Sequence, residues 1–421
     1  MSDENKKDLS HEELTQVYST WGDKLLQHTD VLDSIQSKKK FKPITIQLAP
    51  LEACDSDCPF CSVAGRPLKS YIPFKDIKQI LTDFKTLGAK SVEITGGGNP
   101  MLYRDRQTKE NINDIIRLAN SLGLDVGIIT NSHSFKNLES DVIDMINWIR
   151  VSLIKLDEGK EPEDYYFGDV PYDKLGFSYI IYDGQKNEDG EYIADELSRT
   201  NRVYTGTTID TIEKMAKLIK LHPDAKFVRI AGNCLIKGNN AATRDRWKEV
   251  IQSVDKNNKF FIKDIGYDDD AYRNGCYVGL VRPYIAPNPH GGDYQVYVCT
   301  SHVLNTRTYD LDWSLGGIDD IKQIWNNANE NYRKHGYPYE IKKFLSKINS
   351  KQKFDIIFVD PPFAMNEFKK EIELIKKLKI FKKDNLIIIH RESVQEELNK
   401  LINVKLTKEY GRSKIIFGTL S

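Results

Sequence analysis

Between residues 43 and 270, short apolar stretches alternate with amphipathic stretches of helical length. Such an alternation predicts βα units, a parallel sheet and right-handed crossovers, since parallel neighbours cannot be joined by tight turns. The pattern predicts strands at 43–49, 91–95, 126–130, 149–153, 176–182, 227–231 and 260–265, and helices at 76–87, 111–122, 141–147, 209–221 and 244–254. The fold class is therefore α/β. Two long polar segments, 157–173 and 183–206, are expected to be loops over one end of the sheet.

Three cysteines lie on the short segment that follows the first predicted strand, spaced Cys54-x3-Cys58-x2-Cys61. Thiolates are soft ligands, and three on one loop can converge on one metal cluster. An electron-transfer [4Fe-4S] centre takes four cysteines, so three leave one iron open for other chemistry. A structural zinc loop and three unrelated core cysteines are the alternatives. Zinc sites usually draw on two Cys-x2-Cys pairs, and the chain has no second pair.

This spacing, with Phe60 directly before Cys61, resembles the signature of the radical S-adenosylmethionine (radical SAM) superfamily. The resemblance implies a TIM-like partial (β/α)6 barrel over residues 43–270, with a [4Fe-4S] cluster on the three cysteines and SAM on the open iron. It also implies reductive cleavage of SAM to a 5′-deoxyadenosyl radical that abstracts hydrogen from a substrate, with flavodoxin or ferredoxin as the electron donor. The substrate class, whether peptide, nucleotide or metabolite, and the catalytic residues are not identified by the sequence.

A glycine-rich turn, Gly96-Gly97-Gly98-Asn99-Pro100, directly follows the second predicted strand. Glycines at a strand end allow close approach of the backbone to a ligand. The turn resembles the "GGE" motif with which radical SAM enzymes bind the SAM amino group, and all five residues are candidate cofactor contacts. Asn99 stands where that family usually has Glu, so the carboxylate of the motif is missing.

Two further strand ends resemble SAM contacts of the same superfamily. Asn131 follows the third predicted strand in a Thr-Asn pair, and Ser152 ends an Arg-Val-Ser-Leu sequence on the fourth. Either could instead be an ordinary part of a core strand. Residues 228–233 are a candidate adenine or ribose contact.

The segment after the predicted barrel, 271–340, carries Cys276 and Cys299, with Cys299 in a Gly-rich context. It resembles the beginning of the auxiliary-cluster ("SPASM" or "twitch") extensions of radical SAM enzymes. Two cysteines do not complete a cluster, and the alternative is a pair of reduced or buried thiols.

Residues 341–421 differ in composition, with 18 Lys and Arg against 10 Asp and Glu in a chain of 421 residues whose net charge is zero. A predicted strand there ends in Asp360-Pro361-Pro362-Phe363. This segment resembles the C-terminal half of the small-subunit rRNA guanine-N2 methyltransferases, a half Rossmann-like fragment without the half that carries the cofactor loop.

The second resemblance leaves an alternative function open. Under it, the protein is an rRNA or DNA amino-methyltransferase in which Asp360 and Phe363 are catalytic, or the segment is an inactive fragment with weak nucleic-acid contact through its basic surface.

The sequence predicts four parts: a helical lead-in at 1–42, the barrel at 43–270, the extension at 271–340 and the methyltransferase-like fragment at 341–421. Residues 1–40 contain no apolar run of the signal-peptide kind, and no later segment offers about 18 consecutive apolar residues. These features predict a cytoplasmic protein without a membrane partner.

Overall fold

The computed structural model describes residues 28–37, 40–64, 66–195, 198–233, 240–256, 259–262, 281–289, 293–300, 303, 313–335, 353–359, 368–391, 398–411 and 413–421. Most of the predicted lead-in, residues 1–27, lies outside these ranges, and within them a short helix covers Thr29–Gln36. No described helix is long and apolar enough to cross a membrane.

The larger sheet has ten strands. They are β1 (Thr45–Leu48), β2 (Ser91–Ile94), β3 (Asp125–Thr130), β4 (Ile146–Ser152), β5 (Leu175–Ile181), β6 (Val228–Gly232), β7 (Phe260–Ile262), β8 (Tyr284–Pro287), β9 (Tyr294–Tyr297) and β10 (Gly316–Gly317). Strands β1 to β7 lie side by side in chain order and all pair in parallel. The predicted α/β class with a parallel sheet is confirmed.

The helices of the described part lie mostly between successive strands. They are α1 (Thr29–Gln36), α2 (Phe74–Leu87), α3 (Ile112–Ser121), α4 (Ser140–Ile143), α5 (Ile154–Asp157), α6 (Ile209–Leu221), α7 (Asn240–Val254), α8 (Ile321–His335), α9 (Phe368–Leu378) and α10 (Leu398–Leu401). In α2, apolar residues three and four apart (Ile77, Ile80, Leu81, Phe84) are fully buried. Helix α2 ends at Gly88, whose φ of 111° favours glycine.

Two predicted elements have wrong boundaries. The helix expected at 244–254 begins four residues earlier, at Asn240. The helix expected at 141–147 stops at Ile143, and β4 begins at Ile146, three residues earlier than predicted. The side chain of Asn147 accepts a hydrogen bond from the backbone N–H of Val126 on β3 at 2.7 Å. This contact with the neighbouring strand outweighs the local helical spacing of the apolar residues.

Strands from the predicted extension continue the same sheet beyond β1. Strand β8 pairs in parallel with β1, and β9 and β10 follow as antiparallel neighbours. Helix α8 packs on α2, where the rings of Trp325 and Phe84 meet edge to face at 5.8 Å. The segment from β8 to α8 thus shares its core with the parallel strands.

The last part of the chain forms a separate four-stranded sheet in the order β11-β12-β14-β13, from β11 (Phe354–Val359), β12 (Phe381–Arg391), β13 (Asn403–Tyr410) and β14 (Ser413–Thr419). Strands β11 and β12 are parallel, whereas β14 is antiparallel to both of its neighbours. Strand β11 lies at the edge, and its Ile356 and Phe358 are 61% and 60% exposed.

Candidate cofactor site at the cysteine loop

The cysteine loop begins shortly after β1 ends, at the sheet edge where the carboxyl ends of the parallel strands meet. Cys54, Cys58 and Cys61 are free thiols and are partly buried. Burial raises the pKa of the Cys54 and Cys58 thiols, and the charges of the other thiols act in the same direction on Cys58. Within the described ranges, no three His, Cys, Asp or Glu side chains, these cysteines included, are already grouped as they would be around a metal ion.

Arg66 brings a positive charge to the loop. Its Nη1 donates to the Sγ of Cys61 at 3.2 Å, and its Nε donates to the backbone oxygen of Glu52 at 2.9 Å. Burial lowers the pKa of Arg66, but the nearby Cys61, Cys54 and Glu52 charges raise it overall. The guanidinium of Arg66 thus lies in direct contact with one of the three thiols.

The glycine turn packs directly against the chain that leads into the cysteine loop. Gly98 N donates to the oxygen of Leu51 at 3.0 Å, and Asn99 N donates to the oxygen of Ala53 at 2.8 Å. A Cβ on Gly97 would lie 1.8 Å from a carboxylate oxygen of Glu52. Glycine is therefore required here for contact with the protein's own chain.

Asn99 is buried, and its amide is used by protein groups on three segments. Its Nδ2 donates to Asp55 Oδ1 at 2.9 Å and to Ser132 Oγ at 2.8 Å. Its Oδ1 accepts from Thr130 Oγ1 at 2.7 Å and from the backbone N–H of Met101 at 3.2 Å. Asn99 thus links the cysteine loop to the ends of β2 and β3, and Pro100 opens the one-turn helix Pro100–Leu102.

Asp55 supplies a carboxylate beside the position where Asn99 lacks one. Lys155 Nζ lies 3.2 Å from Asp55 Oδ2 and also donates to the backbone oxygen of Asp55 at 3.0 Å. Burial alone raises the pKa of Asp55, but hydrogen bonding from Asn99 and the Lys155 charge lower it overall. The sequence analysis did not identify either residue, although Asp55 lies inside the cysteine motif.

Asn131, which directly follows β3, lies at the cysteine loop. Its Nδ2 lies 3.6 Å from the Sγ of Cys54 and donates to Ser56 Oγ at 2.6 Å. Ser152 is the last residue of β4, is partly buried and is paired in register with Ser178 of β5. The structure therefore brings the glycine turn and Asn131 to the cysteines, and places Ser152 two residues before α5, the helix of Lys155.

The predicted loop 183–206 folds over the cysteine motif. Asp57 accepts hydrogen bonds from Ser198 Oγ at 2.8 Å and from the backbone N–H groups of Arg199 and Thr200 at 2.8 and 2.9 Å. The Phe60 ring lies 5.1 Å from the Tyr182 ring. These contacts cover one side of the loop with protein.

A pocket adjoins the other side of the loop, and its walls include Glu52, Arg66, Gly97 and Tyr284. Burial raises the pKa of Glu52 to about 8, although the charge of Arg66 lowers it. Within the described ranges, Glu52 Oε1 has no hydrogen-bond partner.

Three of the candidate residues lie outside the described part of the chain, namely Cys276, Asp360 and Phe363. Cys299 is partly buried and lies two residues after β9.

Sequence comparison supports both resemblances. The chain is 30% identical over 117 residues to GTP 3',8-cyclase from Tolumonas auensis, which covers 27% of this chain and 33% of that protein. This chain therefore spans about a third of the length of that relative. Residues 321–419 match the family model described as conserved hypothetical protein 95, which is methyltransferase-like.

Solved structures give weaker likenesses. SuiB of Streptococcus suis bound to its precursor peptide SuiA aligns at 15% identity with a TM-score of 0.44, over 77% of this chain and 72% of that one. BtrN in complex with AdoMet and 2-DOIA aligns at 12% identity with a TM-score of 0.34, over 70% of this chain and 87% of that one. A putative methylase from Haemophilus influenzae aligns at 14% identity with a TM-score of 0.17, over 48% of this chain and 77% of that one. It is the sequence matches that support the resemblance, over 117 residues for a radical SAM enzyme and over residues 321–419 for a methyltransferase-like family.

Proposed function

We propose that this chain is a radical SAM enzyme whose Cys54, Cys58 and Cys61 bind a [4Fe-4S] cluster with one iron open to SAM. The observation that carries the proposal is the placement of the three-thiol loop beside the glycine turn and Asn131 at one sheet edge. When bound, the cluster and SAM would supply one-electron cleavage of SAM to methionine and a 5′-deoxyadenosyl radical, with flavodoxin or ferredoxin as the electron donor.

The residues around the loop fit this use. Arg66 places a positive charge against the sulfur of Cys61, with its Nη1 donating to Sγ at 3.2 Å. Asn99 and Lys155 hold the Asp55 carboxylate ionised beside Cys54, where it would attract a ligand ammonium group such as that of SAM. The Gly96–Gly98 backbone and Ser152 are the remaining proposed cofactor contacts.

The proposal also covers the barrel type, the division into four parts and the location of the protein. We assign a partial (β/α)6 barrel to the parallel strands and retain the four-part division, with residues 271–340 as the extension, and a cytoplasmic location. A peptide, a nucleotide and a small metabolite are all compatible substrates. The barrel interior is then the expected substrate cavity.

The test is anaerobic reconstitution with iron and sulfide, followed by a substrate-free assay for 5′-deoxyadenosine. The wild type should bind about four irons per cluster and cleave SAM, because [4Fe-4S] chemistry needs all three thiolates. The Cys54→Ala, Cys58→Ala, Cys61→Ala triple variant should lose both the iron and the product. A triple variant that kept both would overturn the proposal.

The same preparations test the auxiliary cluster. If Cys276 and Cys299 bind a second cluster, wild-type iron will rise toward about eight per chain. Part of that iron will then survive in the triple variant and disappear when Cys299→Ala is added. A triple variant without iron would leave both thiols as ordinary cysteines.

A second candidate function rests on the family-model match over residues 321–419. We propose amino-methyl transfer to rRNA or DNA, with Asp360 and Phe363 at the amine, as the alternative. Full-length protein should then transfer a labelled methyl group from SAM to rRNA, and Asp360→Ala should abolish the transfer by removing the acceptor for the exocyclic amine. Absence of transfer by the wild type would remove this candidate.

A further inference from the structure

The face of the parallel sheet turned away from the helices carries charged side chains. Ile46 and Leu48 of β1 are fully buried in the main core, and successive residues of a strand point to opposite faces. Gln47 therefore faces the other way, as does Glu93, which is paired with it in register on β2. Arg150 of β4 and Arg229 of β6 interact electrostatically with Glu93.

Glu93 is already neutralised by its neighbours. It is 5% exposed, and its Oε1 accepts from Gln47 Nε2 at 2.7 Å. Its Oε2 pairs with Arg282 Nη2 at 2.5 Å. Both oxygens of this carboxylate are therefore engaged.

Arg150 and Arg229 are not compensated in this way. Their Nε atoms are shielded from solvent and have no hydrogen-bond partner in the part of the chain that the structure describes. Each also lies close enough to the other and to Arg282 for repulsion. Among the described residues, Glu93 is the carboxylate that acts on both arginines, and it is already bonded to Gln47 and Arg282.

A guanidinium nitrogen that is shielded from solvent and has no hydrogen-bond partner is costly, because its desolvation is not balanced by a hydrogen bond. Burial lowers the pKa of Arg229 to about 9, so the group remains protonated at neutral pH. Within the part of the chain that the structure describes, the two shielded Nε groups therefore lack an acceptor on the inner face of the sheet, and an anion bound there would supply one.

We propose that Arg150 and Arg229 form an anion-binding site that takes a carboxylate or phosphate group of the substrate. The assignment rests on the proposed function, and it narrows the substrate to an anionic molecule. Arg150 lies two residues before Ser152 on β4, so the site is about 6.6 Å below the strand end that faces the cysteine loop. A substrate anchored there would extend toward the cofactor.

The test measures anion-dependent thermal stability of the reconstituted full-length protein, without SAM and at constant ionic strength. The probes are inorganic phosphate and acetate, each against chloride. Whichever of the two matches the substrate group should raise the melting temperature of the wild type and of the control Arg246→Gln, an exposed arginine paired with Asp183. Arg150→Met and Arg229→Met should each weaken the apparent affinity for that anion at least about tenfold.

The stability of the variants without anion separates this site from a structural one. Because the shielded Nε of each arginine has no hydrogen-bond partner among the described residues, replacing either residue by Met should leave the anion-free melting temperature unchanged or higher. If a Met variant does not fold, Arg150→Lys, which keeps the charge but loses the guanidinium fork, should fold and respond more weakly to phosphate or acetate. Variants that melt lower and respond to the anion like the wild type would overturn the site.

A final arm repeats the titration with saturating SAM. If SAM abolishes the response, the arginines hold the SAM carboxylate, and the assignment to the substrate is wrong. No response of the wild type to either probe also overturns it. Because none of these measurements requires SAM cleavage, failure of the anion site and failure of the radical SAM function give different results.

Discussion

Replacing Asn99 by Asp should damage the cysteine loop, although it restores the kind of charge that the related glycine motif usually carries. The Asn99 amide nitrogen lies 2.9 Å from Asp55 Oδ1 and donates to it. Asp has the same shape as Asn, so the substitution places a second carboxylate oxygen against the first. The hydrogen bond is replaced by a repulsion between like charges.

The size of the effect follows from the distance and the burial. Two unit charges about 3 Å apart repel by about 5–6 kcal/mol at an effective dielectric constant near 20. Asn99 is 1% exposed, but the Asp55 side chain is 41% exposed, so solvent screens part of the repulsion. We expect Asn99→Asp to lower the free energy of unfolding by about 2–4 kcal/mol at neutral pH.

The assay is urea unfolding of the full-length protein, read by tryptophan fluorescence, together with iron content after reconstitution. Asp55→Asn in the Asn99→Asp background rebuilds an amide–carboxylate pair with reversed polarity, while Lys155 keeps its partner Glu158 at 2.9 Å. The double variant should therefore recover at least about half of the loss. Asn99→Asp as stable as the wild type, or no recovery in the double variant, would refute the reasoning.

Three further changes test other parts of the structure. Gly97→Ala should lower the free energy of unfolding by at least about 2–3 kcal/mol, because the added Cβ meets the Glu52 carboxylate. A Cβ on Gly317 meets nothing within 4 Å, so the control Gly317→Ala should lower it by less than about 1 kcal/mol. Urea unfolding compares the two variants. His222 has its pKa lowered by burial, so stability should fall as pH drops below the ordinary histidine range, and His222→Gln should reduce that dependence in melting curves from pH 7.5 to 5. Trp325→Ala should lower the free energy of unfolding by about 3–5 kcal/mol in urea, because the tryptophan side chain is only 1% exposed. A loss of stability below about 1 kcal/mol would contradict the shared core of α2 and α8.

The local pattern of apolar and polar residues was sufficient to predict most of the strands of the larger sheet. Strands β1 to β6 lie within two residues of their predicted boundaries, apart from the early start of β4. The exception has a clear cause, since Asn147 bonds to a neighbouring strand that no local window contains. The same limit explains why β8 was not assigned beside β1, as their pairing joins residues more than 230 positions apart.

The residues of the candidate site also fall into those that local sequence reveals and those that only distant contacts reveal. The three cysteines, the glycine turn and Asn131 are recognisable because each lies on a short contiguous motif with fixed spacing. Lys155 carries no such signal, and its contact with Asp55 spans 100 positions in the chain.

By itself, the sequence determined the βα repeat and the position of the cysteine loop after the first strand, because periodicity and spacing act over a few neighbouring residues. Only the tertiary structure decided that Asn99 bonds to Asp55 and that Arg150 and Arg229 share one face with Glu93. Those contacts depend on strand order and register, which set which distant side chains meet and therefore which charges are balanced.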